Sequence, residues 1–295
     1  MEYCASCGVA EVDDIQLKDC DDCDLVKYCS DACQELHRPE HAGECKKRVA
    51  KLHDETLFKQ PESTHLGDCP ICCLPLPIES SKSTLNTCCS KMICEGCNVA
   101  NQKREILGRL QQSCPFCRKG AAQTEEESNE RLMKRVEAND PVAMREMGIK
   151  GYQKGDYNAA FDYFTRAAAL GDVQAHYQLS ALYYFGQGVE KDEKKQMHHL
   201  KEAAIGGHPG ARHTLGRMEE GRLRMDRAAK HYIIATKLGY DKSLDRVKDL
   251  YKSLIIKKED FAAALRGHHA AVKATKSAKR EEAAVFLAEL ERRRV

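Results

Sequence analysis

Between residues 139 and 252 the chain carries a regular amphipathic pattern. Ala143, Ala175, Ala211 and Ser243 recur at intervals of 32, 36 and 32, and four residues after each come Met147, Leu179, Leu215 and Val247. A second register runs through Ala167, Ala203 and Ala235, followed by Gly171, Gly207 and Gly239. Residues four apart share a helix face, so each unit reads as helix, turn, helix, glycine. The alanines allow two helices to approach closely, and the glycine supplies a left-handed helix terminus. Such units bury their apolar faces only by stacking, which predicts a superhelical solenoid. Residues 253–295 then suggest two more helices, with Phe261, Leu265, Val285, Phe286 and Leu290 on apolar faces and Arg292–Arg294 fraying off the end.

The first 118 residues lack this rhythm. Residues 1–45 and 69–118 are short on apolar side chains, and modules of about 45–50 residues usually need a metal or disulfides to fold alone. Residues 46–68 (KKRVAKLHDETLFKQPESTHLGD) read as a charged helical turn or two and then a polar linker. Residues 119–138 read as a second polar linker, acidic at its centre. What these modules have instead of a core is cysteine: all sixteen lie before residue 118. The N-terminus has no basic region followed by an apolar run, so no secretory signal is expected. In a reducing interior, cytoplasmic or nuclear, metal ligation by such cysteines beats disulfides. No apolar stretch of about 18 residues is present, so no membrane span is expected. The formal net charge of +2 gives no general reason to expect nucleic acid or anionic lipid as partner.

Spacing defines the chemistry. Cys4/Cys7 and Cys20/Cys23 are C-x2-C pairs, followed by Cys29/Cys33 and the H-x3-C pair His41/Cys45. After a gap come Cys69/Cys72, Cys88/Cys89, Cys94/Cys97 and Cys114/Cys117. Two thiolates three residues apart can chelate one ion from a tight turn, and a structural zinc site needs four ligands in a tetrahedron. Eight ligands before residue 46 and eight between 69 and 117 make four sites, hence four expected Zn2+ ions. The first ligand series, with YCSDACQ over Tyr28–Gln34, resembles a MYND finger. The resemblance implies interleaving: Cys4, Cys7, Cys29 and Cys33 hold one ion, and Cys20, Cys23, His41 and Cys45 the other. It places the ligand histidine eight residues after Cys33, at His41, and leaves His37 as a surface residue. MYND fingers dock short proline-containing peptides, and Arg38 stands where the family usually carries tryptophan. The acidic run Asp13–Asp24 reads as a solvated loop.

Residues 69–118 resemble a RING domain of the all-cysteine kind, opened by Cys69-Pro-Ile-Cys72 and closed by Cys114-Pro-Phe-Cys117. The resemblance implies a cross-brace with Cys69, Cys72, Cys94 and Cys97 on one ion, and Cys88, Cys89, Cys114 and Cys117 on the other. The adjacency of Cys88 and Cys89 departs from the family. Cys73 is a spare that can replace one of them, or else a partly buried free thiol. A RING clamps a ubiquitin-conjugating enzyme charged through a thioester and extends that thioester for attack by a lysine, which is catalysis by positioning with no covalent intermediate. By resemblance the conjugating enzyme meets Ile71, Pro115 and Arg118, the last a forked cation that bonds both partners. The family's frequent tryptophan is missing. Asn98–Leu110 reads as a helix, on which Leu107 or Leu110, with Leu110 preferred, supplies apolar contact.

The repeat unit, clearest over Ala175–Gly207 with Tyr183-Tyr184-Phe185-Gly186-Gln187-Gly188-Val189 and Asp192-x2-Lys195, resembles the Sel-one-like repeat, a tetratricopeptide relative. The likeness covers roughly residues 139–250 as three units and a partial fourth. Relatives bind proteins on the concave face, to which His198, His199 and His208 could contribute; His198 and His199 read as solvent-facing rather than metal-binding. No phosphate-binding loop, nucleophile elbow or paired-carboxylate motif is visible. The expected fold class is therefore mainly α: two small cross-brace zinc modules followed by an α-solenoid. The expected domains are 1–45, linker 46–68, 69–118, linker 119–138, repeats 139–252 and C-terminal helices 253–295. The expected function is a RING-type ubiquitin ligase whose repeats and MYND finger hold the target. The alternative is a non-enzymatic adaptor with structural zinc. Nucleic acid is disfavoured as a partner, because residues 11–24 are acidic and base-reading fingers need a basic helix.

Overall fold

The computed structural model describes residues 2–292, so Arg293 and Arg294, read above as fraying, lie outside the described residues. The chain divides into two units, residues 1–59 and 60–295.

In the first unit, strands β1 (Lys18–Asp19) and β2 (Lys27–Tyr28) form an antiparallel hairpin, followed by helix α1 (Asp31–Phe58). Ser30 caps α1 by accepting from the Cys33 amide at 3.3 Å. The helix does not stop near residue 46, so most of the expected linker 46–68 is helix. Its charged surface is laced with pairs such as Arg48–Glu55 and Lys51–Glu55. The buried cluster of this unit is Cys4, Leu17, Cys20, Cys23 and Tyr28. Cysteine does the work that leucine does elsewhere.

The second unit begins with a hairpin of β3 (Ser83–Asn86) and β4 (Lys91–Cys94), in which Asn86 pairs with Lys91, followed by helix α2 (Glu95–Leu107). The expected linker 119–138 is corrected by helix α3 (Glu125–Glu137). Thr124 caps it, accepting from the Glu127 amide at 3.2 Å, and three glutamates in the first turn face the positive end of the helix dipole. Leu132 and Val136 are buried in one cluster with Phe164 and Leu179. The acidity that read as a linker is the charge signature of a helix start.

The repeats follow as antiparallel pairs: α4 (Pro141–Gln153) with α5 (Tyr157–Ala169), α6 (Val173–Phe185) with α7 (Glu193–Ile205), and α8 (Pro209–Gly221) with α9 (Met225–Lys237). A fourth pair, expected to be partial, is completed by α10 (Asp241–Lys252) and α11 (Lys258–Ala274). The small residues of both registers, Ala143, Ala175, Ala211, Ser243, Ala167, Ala203 and Ala235, are all wholly buried. Gly171, Gly207 and Gly239 end their helices at φ of +85°, +84° and +91°, where a Cβ would be strained. The solenoid is thus built on the periodicity of its small residues. Helix α12 (Ala278–Arg292) closes the described chain and packs along α2. Phe261 joins the cluster around Tyr232 and Val247, but Leu265, Val285 and Leu290 are exposed, so the terminal apolar faces are only partly covered. No helix among the described residues is long and apolar enough to cross a membrane.

Candidate metal centres and the surfaces around them

Local structure gathers the first eight ligands. The turn between β1 and β2 carries Cys20 and Cys23, while α1 presents Cys33 in its first turn and His41 and Cys45 four apart on one face. Cys4, Cys7, Cys29 and Cys33 form one cluster and Cys20, Cys23, His41 and Cys45 another, each with ligand atoms within 4.8 Å of one another. Representative separations are Cys7 Sγ to Cys29 Sγ at 3.5 Å and Cys23 Sγ to His41 Nε2 at 3.1 Å. A zinc–thiolate tetrahedron with bonds of about 2.3 Å spaces its sulfurs by about 3.8 Å, so the clusters fit that ion.

The second finger is cross-braced. Cys69, Cys72, Cys94 and Cys97 meet in one cluster, and Cys88, Cys89, Cys114 and Cys117 in the other. Cys88 and Cys89 sit in the β3–β4 turn, and their sulfurs reach different partners: Cys117 at 3.4 Å and Cys114 at 3.8 Å. Cys73 joins neither cluster. It is exposed rather than partly buried and adopts φ +55°.

Clustering splits the acidities of these thiols. Burial works to raise the Cys4 thiol, but the backbone amides of Cys7 and its neighbours bring it down to about 6. The Cys7 and Cys33 side chains push Cys29 up to about 12. In the second finger, burial also opposes ionisation of Cys69, yet the amides at Cys72 and Cys94 lower it to about 7. Burial and the nearby Cys114 raise Cys89 to about 11. Four thiolates this close need a cation between them before all can ionise, which favours a divalent metal.

Several side chains around the sites differ from expectation. His37 is half-buried rather than simply on the surface: its Nδ1 lies 3.0 Å from the Tyr28 hydroxyl, and its ring stacks on that of His41 at 5.7 Å. A shallow groove beside this site is lined by Tyr28, Gln34, Arg38, Ala42, Lys46 and Val49. In the second finger Ile71 is 41% and Leu110 54% exposed, but Pro115 is buried. Leu110 lies past the end of α2, which stops at Leu107. Arg118 donates through Nη1 to Asn101 Oδ1 at 2.7 Å. Sequence reasoning missed the group behind this bond. Buried Glu105 accepts from Asn101 Nδ2 at 2.8 Å, the Ser113 amide at 3.0 Å and the Ser113 hydroxyl at 2.7 Å, tying α2 to the last ligand pair. The one local signal for it is the i, i+4 spacing of Asn101 and Glu105 after the sixth ligand.

The repeats hold a surprise at the expected binding face. His208 is buried, not exposed, and caps α8 by accepting from the Ala211 amide at 3.0 Å. Its ring stacks on Tyr177 at 4.2 Å and on His65 at 4.3 Å. Gln174 Oε1 takes both imidazoles, at 3.1 Å from His65 Nε2 and 2.9 Å from His208 Nε2. The segment ahead of the second finger therefore lies on the repeats. His198 is exposed, but His199 is half-buried, with Nδ1 3.0 Å from His176 Nδ1 and its ring stacked on Tyr183.

Paired helices with buried small residues follow cysteine clusters whose geometry suits zinc. Residues 4–45 match the family model of the MYND finger, and residues 141–172 and 173–208 match that of the Sel1 repeat. The chain therefore carries a MYND finger and Sel1 repeats, and Sel1 repeats are protein-interaction modules. Among curated proteins it is similar to HcpC of Helicobacter pylori, a protein named for beta-lactamase activity. Identity is 39% over 56 residues in strain J99, spanning 19% of each chain. In strain 26695 it is 40% over 52 residues, spanning 18% of each. The chain thus spans about a fifth of the length of these relatives. Among solved structures it is similar to a Sel1 repeat protein from Oxalobacter formigenes at 29% identity and TM-score 0.45, covering 53% of this chain and 67% of that one. It is also similar to c5321, a protective antigen of uropathogenic Escherichia coli with an SLR fold, at 20% identity and TM-score 0.41, covering 58% of this chain and 37% of that one.

Proposed function

We propose that this chain is a RING-type ubiquitin ligase, folded around four Zn2+ ions in a reducing intracellular compartment, whose repeats and MYND finger hold the target protein. The observation that carries the reading is the alternating pairing in residues 69–118, where the first ligand pair shares a cluster with the third and the second with the fourth. Beside that pairing stand the exposed apolar residues Ile71 and Leu110, suited to a conjugating enzyme. The ligase does no bond chemistry itself. It holds the enzyme–ubiquitin thioester extended, so that a target lysine attacks the thioester carbonyl and the conjugating enzyme's thiolate leaves. In this reading buried Pro115 shapes the last ligand turn. Arg118 exchanges its bond to Asn101 for bonds to the enzyme and ubiquitin.

The test is ubiquitin transfer by zinc-loaded protein across a panel of conjugating enzymes, with Ile71→Ala beside it. Transfer should fall at least tenfold in the variant while zinc content is unchanged, since an exposed side chain bears on docking and not on the metal. Zinc loss in Ile71→Ala would mean that the residue serves the fold instead. The second reading, a non-enzymatic adaptor, is favoured by the Arg118–Asn101 bond, which engages the cation within the finger. Silence across the panel from a fully loaded protein, with partners retained by residues 139–295, would select it.

A further inference from the structure

Where the C-terminal helix packs on the second finger, one side chain reaches its cysteine cluster. Arg280, near the start of α12, reaches back about 200 residues in sequence. Its Nη1 donates to the Pro75 carbonyl at 2.7 Å and to the Thr275 carbonyl at 2.7 Å. Its Nη2 donates to the Leu74 carbonyl at 3.2 Å and to Cys72 Sγ at 3.5 Å. Cys72 belongs to the Cys69, Cys72, Cys94 and Cys97 cluster. The backbone of α2 is shaped to admit this residue: a Cβ on Gly96 would lie 2.8 Å from Arg280 Cγ and 3.1 Å from its backbone N and Cα. Gly96 stands between the ligands Cys94 and Cys97, so the close approach falls inside the metal loop itself. Further along the same pair of helices, Lys103 Nζ sits 4.8 Å from the Phe286 ring centroid.

We propose that Arg280 is an outer-sphere positioning residue for the Cys69, Cys72, Cys94 and Cys97 site, so that metal occupancy of this cluster and seating of α12 on α2 form one linked equilibrium. Zinc with four thiolates carries two net negative charges, and a cation donating to a ligand sulfur stabilises that state. A planar guanidinium suits the task because it serves three carbonyls and a sulfur from one rigid fork, which an ammonium cannot. Linkage then works in both directions: zinc holds the helix down, and the helix slows loss of zinc. The inference rests on the zinc reading of the second finger and is independent of ubiquitin transfer.

The experiment uses the full zinc-loaded chain, with zinc counted first. Release to a chromogenic chelator is followed together with hydrogen exchange over residues 278–292, in Arg280→Ala, Arg280→Lys and Gly96→Ala. Gly96→Ala leaves every ligand and Arg280 in place, and in a helix that does not meet α12 it would be stabilising. One zinc should leave roughly tenfold to a hundredfold faster in Arg280→Ala and in Gly96→Ala, with protection of residues 278–292 lost in both. Arg280→Lys should fall between them and the parent. In the cadmium-substituted protein, one resonance should move in Arg280→Lys while those of the other sites stay. Unchanged release and an unmoved spectrum, with only α12 loosened, would reduce Arg280 to a structural tie and overturn the inference. A chain that holds no zinc at this cluster would overturn the zinc reading first and this inference with it.

Discussion

In the first finger three of the five residues in the buried cluster are cysteines, Cys4, Cys20 and Cys23 beside Leu17 and Tyr28. In the repeats the buried cluster sets alanine methyls against large side chains, such as Ala143, Ala160 and Ala167 with Phe164, Leu179 and Leu182. The first kind of core has little apolar area to bury, so its free energy of folding is expected to come from coordination. The second gains by removing helix faces from water, and each unit depends on its neighbour. One chain therefore contains two regions that should answer to different perturbations. The second finger shares in both kinds of stabilisation, because one of its cysteine clusters is also touched by a helix that follows the repeats.

The largest expected effect tests this division directly. Structural zinc in small fingers contributes on the order of 10–16 kcal/mol of apparent binding energy at neutral pH, and binding energy there is folding energy. Chelation should unfold residues 1–118, including α1 and α2, while residues 139–274 keep their helices. Hydrogen exchange before and after chelator, read segment by segment, makes the comparison. Loss of protection throughout α4 to α11 would mean that the repeats lean on the fingers and that the two regions fold as one.

The two regions also differ in how they are written in the sequence. A metal site is local and short: the C-x2-C spacings mark the candidate ligands, while which of them share an ion comes from the resemblance to two interleaved finger families, and spacing alone leaves Cys73 open as a ligand. The solenoid is equally plain in its small residues, since the alanine and serine positions of both registers are all buried. Composition was a poorer guide at the joins. The acidic run at Glu125–Glu127 suggested a linker because charge alone does not separate a solvated tether from the first turn of a helix. The burial of Leu132 and Val136, three and seven residues after Asn129, is the part of that segment that distinguishes them. Contacts far apart in sequence left no trace at all. Nothing near Arg280 announces that it meets Leu74 and Pro75, and nothing near His65 announces Gln174 and His208.

His65 gives the next effect, at the place where the finger region lies on the repeats. Burial, with the charge of Arg145 adding to it, drives its imidazole down to about 4, although the Gln174 bond works the other way. A free segment would protonate near the ordinary value of about 6.5. Between those values the undocked state binds the extra proton, so docking is fully supported above pH 6.5 and weakens as pH falls toward 4. The shift amounts to about 3 kcal/mol. Exchange at residues 60–66 should therefore accelerate between pH 7 and 5, with the core of α6 and α8 unaffected. His65→Phe keeps a ring for stacking but has no proton to take up, and should flatten much of that dependence. An equally steep profile in the variant would place the titration in His208 alone, whose burial also depresses it.

The smallest effect is read as a difference between two equivalent glycines. Gly171 and Gly207 end successive units at nearly the same φ, so an alanine at either pays the left-handed penalty of about 1–2 kcal/mol. Their surroundings differ. A Cβ at Gly171 meets nothing within 4 Å, whereas at Gly207 it would lie 2.6 Å from the Ser63 carbonyl oxygen and 3.5 Å from Pro61 Cβ. The Gly207 carbonyl also accepts from the His65 amide at 3.3 Å. Gly171→Ala should thus lower stability in urea without altering exchange at residues 60–66. Gly207→Ala should lower it further and release that segment. Because the backbone cost is common to both, the excess in Gly207→Ala measures how firmly residues 61–65 are held on the repeats. Equal losses, with the segment still protected in both, would show that the repeat face tolerates the extra methyl and that docking rests on the imidazole stack alone.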